Sequence, residues 1–200
     1  MPVTGLSQNE ITSSSVSLSW DPLFASDAYT IYRNGSLLPT DSVIWNSETS
    51  FTDNTVQANT SYNYEIKSYN AAGNCEGPST FLSVITLPGS AAPDSYDFGE
   101  IPVGSMGTKT FIIRNDTVGD SITVASISPS NDNSSPFYVN TDTDTCTGTT
   151  LAAEEICTIE FTFNPRNEGY KRAFAEVSFV TAQTISIPLA GGGRPFLVKD

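Results

Sequence analysis

The residues in this 200-residue chain best suited to covalent chemistry are its three cysteines. Cys146 and Cys157 lie close in sequence around a turn-rich stretch, a spacing suited to a short disulfide. Such a bridge is expected only in an oxidising compartment. Cys75 stands alone, and the sequence holds no histidine to activate it. Its place in the 74–77 loop suggests a serine replaced, so an idle or buried thiol is expected, with a free thiol or an intermolecular link as alternatives. The missing histidines also remove the commonest general base, the usual catalytic triads and most zinc sites. Twenty-two Asp and Glu residues are scattered over the chain and mark no carboxylate pair. Gly191-Gly192-Gly193 follows what reads as the last strand and precedes Arg194-Pro195, where no helix begins to cradle a phosphate. Asp142-Thr143-Asp144 and Asn131-Asp132-Asn133 offer oxygen ligands to calcium, but the pattern of a defined calcium loop is absent. Hydrated acidic loops are the simpler expectation. An intramolecular lysine–asparagine link needs a buried lysine, and neither Lys67 nor Lys109 stands out as one. No catalytic residue, cofactor or metal ligand is expected, and the chain does not read as an enzyme.

The elements that carry these residues are strands. Ser, Thr, Val, Ile, Phe and Tyr dominate, turn residues recur at short intervals, and no stretch has a convincing helical period. The nearest approach to a helix, residues 151–156, is a single turn at most. The formal net charge is −13, with nine basic residues, and the acidity is spread over both halves. A nucleic-acid backbone or an anionic membrane surface would be repelled by this field. No apolar run is long enough to span a membrane, and residues 1–10 do not read as a signal peptide. An exported protein of this kind is therefore expected to be a segment of a longer precursor.

Residues 1–87 read as one sandwich domain of about seven strands. Val16, Leu18 and Trp20 alternate with serines. A strand over residues 29–33 ends in Asn34-Gly35, the strongest short hairpin signal. Tyr62, Tyr64 and Ile66 then alternate with Asn63, Glu65 and Lys67. The segments Ser17-Leu18-Ser19-Trp20-Asp21, Tyr29-Thr30-Ile31-Tyr32-Arg33-Asn34-Gly35, Thr60-Ser61-Tyr62-Asn63-Tyr64 and Tyr69-Asn70-Ala71-Ala72-Gly73 together resemble a fibronectin type III domain. The resemblance implies that Trp20 fills the core and that Tyr62 forms a tyrosine corner, its hydroxyl bonded to nearby backbone. Ala58 stands where that family often has proline, which should soften the turn without changing the fold. Trp45 sits among polar residues, and two readings stay open for it. It either stacks on a sugar or anchors a protein partner, or it packs over the sandwich edge.

Residues 88–93, small and flanked by Pro88 and Pro93, read as a linker. Residues 94–193 read as a second sandwich, and residues 194–200 as an exit segment. Cys157, Ile159, Phe161 and Phe163 alternate with Thr158, Glu160 and Thr162, and Ala173, Ala175, Val177 and Phe179 with Phe174, Glu176 and Ser178. The segments Tyr96-Asp97-Phe98-Gly99-Glu100-Ile101-Pro102-Val103-Gly104, Phe111-Ile112-Ile113-Arg114-Asn115, Phe137-Tyr138-Val139 and Phe163-Asn164-Pro165 resemble the bacterial choice-of-anchor D domain. That group belongs to a wider Hydin-type, ASH-like set of immunoglobulin-fold domains. The resemblance implies that Cys146 and Cys157 pair, and that the protein is secreted or surface-displayed. Phe98 and Phe161 are expected in the core.

The expected fold is all-β, two tandem immunoglobulin-like β-sandwiches. The expected role is a non-catalytic spacer and interaction module outside the cytoplasm, within an adhesin or fibre, with a protein or glycan at a cell surface as partner. The alternative is an ancillary carbohydrate-binding module of a secreted glycoside hydrolase. The acidic loops give a first prediction: adding calcium leaves the melting temperature unchanged, and a rise on titration would establish a site instead.

Overall fold

The computed structural model describes residues 1–24, 26–38, 44–45, 47–72, 74–129 and 135–195. It divides into two compact units, Met1–Leu87 and Pro88–Asp200, and each is a β-sandwich.

In the first unit the strands are β1 (Ser7–Ile11), β2 (Val16–Ser19), β3 (Ala28–Arg33), β4 (Ser36–Leu37), β5 (Ile44–Trp45), β6 (Ser50–Asp53), β7 (Ser61–Asn70), β8 (Cys75–Glu76) and β9 (Thr80–Ile85). One sheet runs β1-β2-β6. The other runs β4-β3-β7-β8, with β5 also pairing β3 and β9 also pairing β7. Alternation places Val16, Leu18, Tyr29, Ile31, Tyr62, Tyr64 and Ile66 between the sheets, where they pack with Trp20, Ile44 and Val84. Asn34 (φ 52°) and Gly35 (φ 79°) both adopt the left-handed backbone that a two-residue hairpin demands, and they join β3 to β4. Strand β1 has no alternating apolar pattern. Four of its five residues are exposed, and its pairing with β2 holds it in place.

Two polar ties complete this core. The Tyr62 hydroxyl accepts the Gln57 backbone N–H at 2.8 Å, the tyrosine corner, with Ala58 in the turn. Asp53, at the end of β6, is buried and accepts from Arg33 Nη1 (2.7 Å) on β3 and from the Tyr64 hydroxyl (2.8 Å) on β7. It also accepts from Thr55, through the backbone N–H (2.9 Å) and the hydroxyl (2.7 Å). One carboxylate thus ties one sheet to the other. Burial pushes the Asp53 carboxyl upward, but these donors and the Arg33 charge outweigh it and hold it below the usual carboxylate range. Burial and the hydrogen bond to Asp53 both raise the Tyr64 phenol.

The second unit contains β10 (Gly89–Ala92), β11 (Tyr96–Pro102), β12 (Gly107–Asn115), β13 (Ile122–Pro129), β14 (Phe137–Asn140), β15 (Thr150–Leu151), β16 (Ile156–Phe163), β17 (Gly169–Phe179) and β18 (Thr184–Arg194). One sheet runs β10-β12-β16-β14 and the other β11-β18-β17-β13-β15. Phe111, Ile159, Phe161, Phe163, Val177 and Ile187 are fully buried between them. The Phe137 and Phe163 rings stack at 4.7 Å, and Phe111 meets Phe161 edge-on at 5.3 Å.

Two expectations are corrected here. Residues 88–93 are not a free linker, because Gly89–Ala92 form β10 and pair in register with residues 112–115 of β12. Their small side chains suit an edge strand. A Cβ on Gly89 would strike the Arg114 carbonyl. Gly191-Gly192-Gly193 does not follow the last strand but lies inside it, and β18 runs on to Arg194. A Cβ at Gly191 would stand 2.7 Å from the Phe163 ring, so that glycine is needed for close packing of core against strand. Residues 151–156, read as a single turn at most, hold one tight turn between strands: Leu151 ends β15, the Glu155 N–H donates to the Ala152 carbonyl (3.0 Å), Glu154 takes a left-handed backbone (φ 66°) and Ile156 opens β16.

Cys146 and Cys157 are bonded across a sequence separation of 11, which joins the 141–149 loop to the start of β16. Both are buried. Replacing both by alanine is expected to lower the stability of this unit by about 3 kcal/mol, read from denaturant midpoints with and without reductant. Asp53→Asn is expected to cost about 3 kcal/mol, read in the same way. The sign of its pH dependence follows from its depressed folded-state pKa. Above the unfolded-state value the stabilisation is fully present, and it is lost as pH falls through the folded-state value. The wild type should therefore lose stability in that acid window more steeply than Asp53→Asn; equal slopes would refute the role given to Asp53.

Candidate interaction face

The residues singled out in the sequence fall in several settings. Trp20, Tyr62 and Phe161 are in the cores. Phe98 is half-buried and reaches the second core from β11, with its ring 6.0 Å from Phe137 and 5.7 Å from Phe163. This differs from full burial because β11 is an edge strand with one partner, β18, to cover it. Asp144 is committed to its own loop, where it accepts the backbone N–H groups of Cys146 (2.7 Å) and Thr147 (3.0 Å). Burial pushes its carboxyl up and these donors bring it net below the ordinary range. Among the described residues no three His, Cys, Asp or Glu side chains gather to hold a metal. Asn131-Asp132-Asn133 lies outside the described residues. Cys75 is an exposed thiol on β8.

Trp45 is the residue whose placement bears on recognition. It is 63% exposed, so it does not pack over the sandwich edge. Strand β5 pairs with β3 such that Ile44 opposes Tyr29 and Trp45 opposes Ala28. Tyr29 points into the core, so Ala28, Thr30 and Tyr32 point out, and Trp45 does as well. Across the next strand Ala28 opposes Tyr69, and Tyr69 opposes Glu76 on β8. A row Trp45–Ala28–Tyr69–Glu76 therefore crosses the outer face of this sheet. A second row runs Leu37–Tyr32–Glu65–Phe81, with Leu37 and Phe81 exposed.

Between the rows lies a closed polar network. Glu76 Oε1 accepts from the hydroxyls of Thr30 (2.7 Å) and Tyr32 (2.6 Å), and Oε2 accepts from Lys67 Nζ (3.1 Å). Lys67 also lies 3.3 Å from Glu65 and 4.4 Å from the centre of the Tyr32 ring. Ser79 donates to Glu65. Partial burial pushes the Glu76 carboxyl up, but Tyr32, Thr30 and Lys67 together pull it below the usual range. The hydrogen bond to Glu76 is also the main reason that the Tyr32 phenol and the Lys67 ammonium titrate higher than usual. Each charged group here is held by two or more neighbours, so the face is rigid. It offers stacking surface and hydrogen-bonding edges.

Sequence reasoning named Trp45 but not Ala28, Tyr69, Glu76 or Phe81. Tyr69 and Phe81 alternate out of phase with their core neighbours, a signal present in the sequence. Their assembly with Trp45 depends on β5 pairing with β3, which a two-residue strand does not announce.

Residues 1–85 match the family described as fibronectin type III domain, and residues 90–191 match the HYDIN/CFA65/VesB-like, Ig-like domain. Among curated proteins, the chain is 37% identical over 113 residues to chitinase Chi52 of Paenibacillus xylanexedens, covering 54% of this chain and 18% of that one. It is 30% identical over 110 residues to exoglucanase B of Cellulomonas fimi, covering 54% of this chain and 9% of that one. The chain thus spans less than a fifth of either relative. Of solved structures, the secreted serine protease VesC from Vibrio cholerae aligns at 13% identity with a TM-score of 0.46, over 96% of this chain and 56% of that one. With the cysteine pair joined, the tyrosine corner formed and both sandwiches complete, the chain belongs to the HYDIN/CFA65/VesB-like, Ig-like domain family, and carries a fibronectin type III domain in front of that domain.

Proposed function

We propose that this chain is a non-catalytic spacer and interaction segment of an extracytoplasmic, polymer-degrading hydrolase. The observation that carries this reading is the nature of the match to the relatives. The shared stretch covers 54% of this chain and is a small part of a chitinase and of an exoglucanase, and both sandwiches of the chain have interiors filled with apolar side chains. Chemistry on the polymer would then belong to other parts of such proteins. This setting, rather than an adhesin or fibre, is favoured because these relatives are hydrolases.

The extracytoplasmic placement has two supports. The Cys146–Cys157 bridge persists where thiols are not kept reduced. Chitin and cellulose are also too large to enter a cell, so enzymes that act on them work outside it. The charge of −13 suits a soluble segment and disfavours anionic partners.

The purified chain is expected to release no reducing sugar from chitin, cellulose or starch. Fused to a chitinase catalytic domain, it is expected to leave kcat/KM on soluble chito-oligosaccharides unchanged. Hydrolysis by the chain alone, or an altered turnover of the soluble substrate in the fusion, would overturn the non-catalytic reading.

A further inference from the structure

The Trp45–Ala28–Tyr69 row is an aromatic platform with a small residue at its centre. Ala28 points outward yet is fully buried, and its register partners on the two adjoining strands are Trp45 and Tyr69. Their backbones are two strand spacings apart, roughly 10 Å. That is about the length of a disaccharide unit in an extended polysaccharide. The Tyr69 ring is held at its far end by the bond from its hydroxyl to Asn74 Oδ1 (2.8 Å). Beside the rings, Tyr32, Lys67 and Glu76 present hydroxyl, ammonium and carboxylate groups already locked to one another, with the buried Thr30 hydroxyl also donating to Glu76. Ordering such groups in advance removes an entropic cost from binding.

We propose that this platform binds the surface of an uncharged, ordered polysaccharide, with Trp45 and Tyr69 stacking on sugar rings and the Glu76 network meeting ring hydroxyls at its edge. This rests on the hydrolase-segment reading above and names the ligand class for it. Three observations select that occupant. The outward side chains rise from adjacent strands of one sheet, which suits a flat surface better than a folded peptide. The charges of the network are Glu65, Glu76 and Lys67, and the whole chain is strongly acidic, so phosphate- or uronate-bearing polymers are repelled while a neutral one is not. The matched relatives include a chitinase and an exoglucanase, whose names specify uncharged polysaccharides.

The test is depletion of the full 200-residue chain from solution by crystalline chitin and by microcrystalline cellulose, with polystyrene beads as a control for general stickiness. The wild type is expected to bind at least one of the two polysaccharides and not the beads. Trp45→Ala is expected to weaken that binding roughly tenfold or more, Tyr69→Ala to weaken it less, and Trp45→Phe to retain most of it. Phe174→Ala, an exposed aromatic change in the other domain, should leave it unchanged. Trp45 is exposed, so Trp45→Ala should keep the wild-type melting temperature, which confirms that lost binding is not lost fold. The proposal is overturned if neither polysaccharide retains the wild type, if Trp45→Ala binds as tightly, or if the beads retain the chain equally. A failure here leaves the hydrolysis and fusion measurements standing, so the two readings are judged separately.

Discussion

Each half of this protein stands on one constraint: two pleated sheets must face each other across a layer of side chains that leaves no room for water. A strand presents alternate residues to opposite faces, so one set of positions is given over to that layer and the other set is released from it. In β7 the inward set is Tyr62, Tyr64 and Ile66, and the outward set is Asn63, Glu65, Lys67 and Tyr69. In β16 the inward set is Cys157, Ile159, Phe161 and Phe163. Burying a side chain of this size contributes roughly 1.5–3 kcal/mol, so a one-residue slip in register would exchange a favourable layer for exposed rings. The rest of the structure is an elaboration of that fixed register.

Polar and covalent ties then act where the apolar layer ends. Asp53 lies at the end of β6, and its bonds to Arg33 and Tyr64 join the two sheets of the first domain at a point where a lone buried carboxylate would be costly. The corner from Gln57 to Tyr62 fixes the chain as it enters β7. In the second domain the disulfide performs a similar service for the loop before β16, and Gly191 lets Phe163 press against β18. Both polar ties of the first domain end on a tyrosine hydroxyl, Tyr64 and Tyr62, because such a ring fills core volume while its hydroxyl reaches a polar partner.

The same constraint explains why the proposed aromatic platform is where it is. Outward positions of β3, β5, β7, β8 and β9 are free of core duty, yet they inherit the rigidity of a sheet whose inner face is packed. Side chains as unlike as Trp45, Tyr69 and Glu76 are brought into one row by strand pairing alone. Groups placed in this way are held in order by the sheet itself and need no cleft to bring them together.

The sequence by itself determined the all-β class and most of each core, since alternation and the Asn34-Gly35 turn are local signals, and its ordered motifs carried the resemblance to the two families. Trp20, Tyr62 and Phe161 lie in the cores that their alternation indicates. Tertiary structure decided what local signals do not carry. Gly89–Ala92 read as linker because small residues beside prolines resemble a spacer, and only the free edge of β12 makes them a strand. Gly191-Gly192-Gly193 read as a strand exit because glycine is a poor strand former, and only the Phe163 ring and the neighbouring backbone show why the strand needs it. Trp45 was ambiguous between packing and exposure until β5 paired with β3, and Ala28, Tyr69 and Glu76 joined it through register between strands far apart in sequence. Periodicity tells which side of a strand a residue occupies, but only long-range pairing tells which residues share that side.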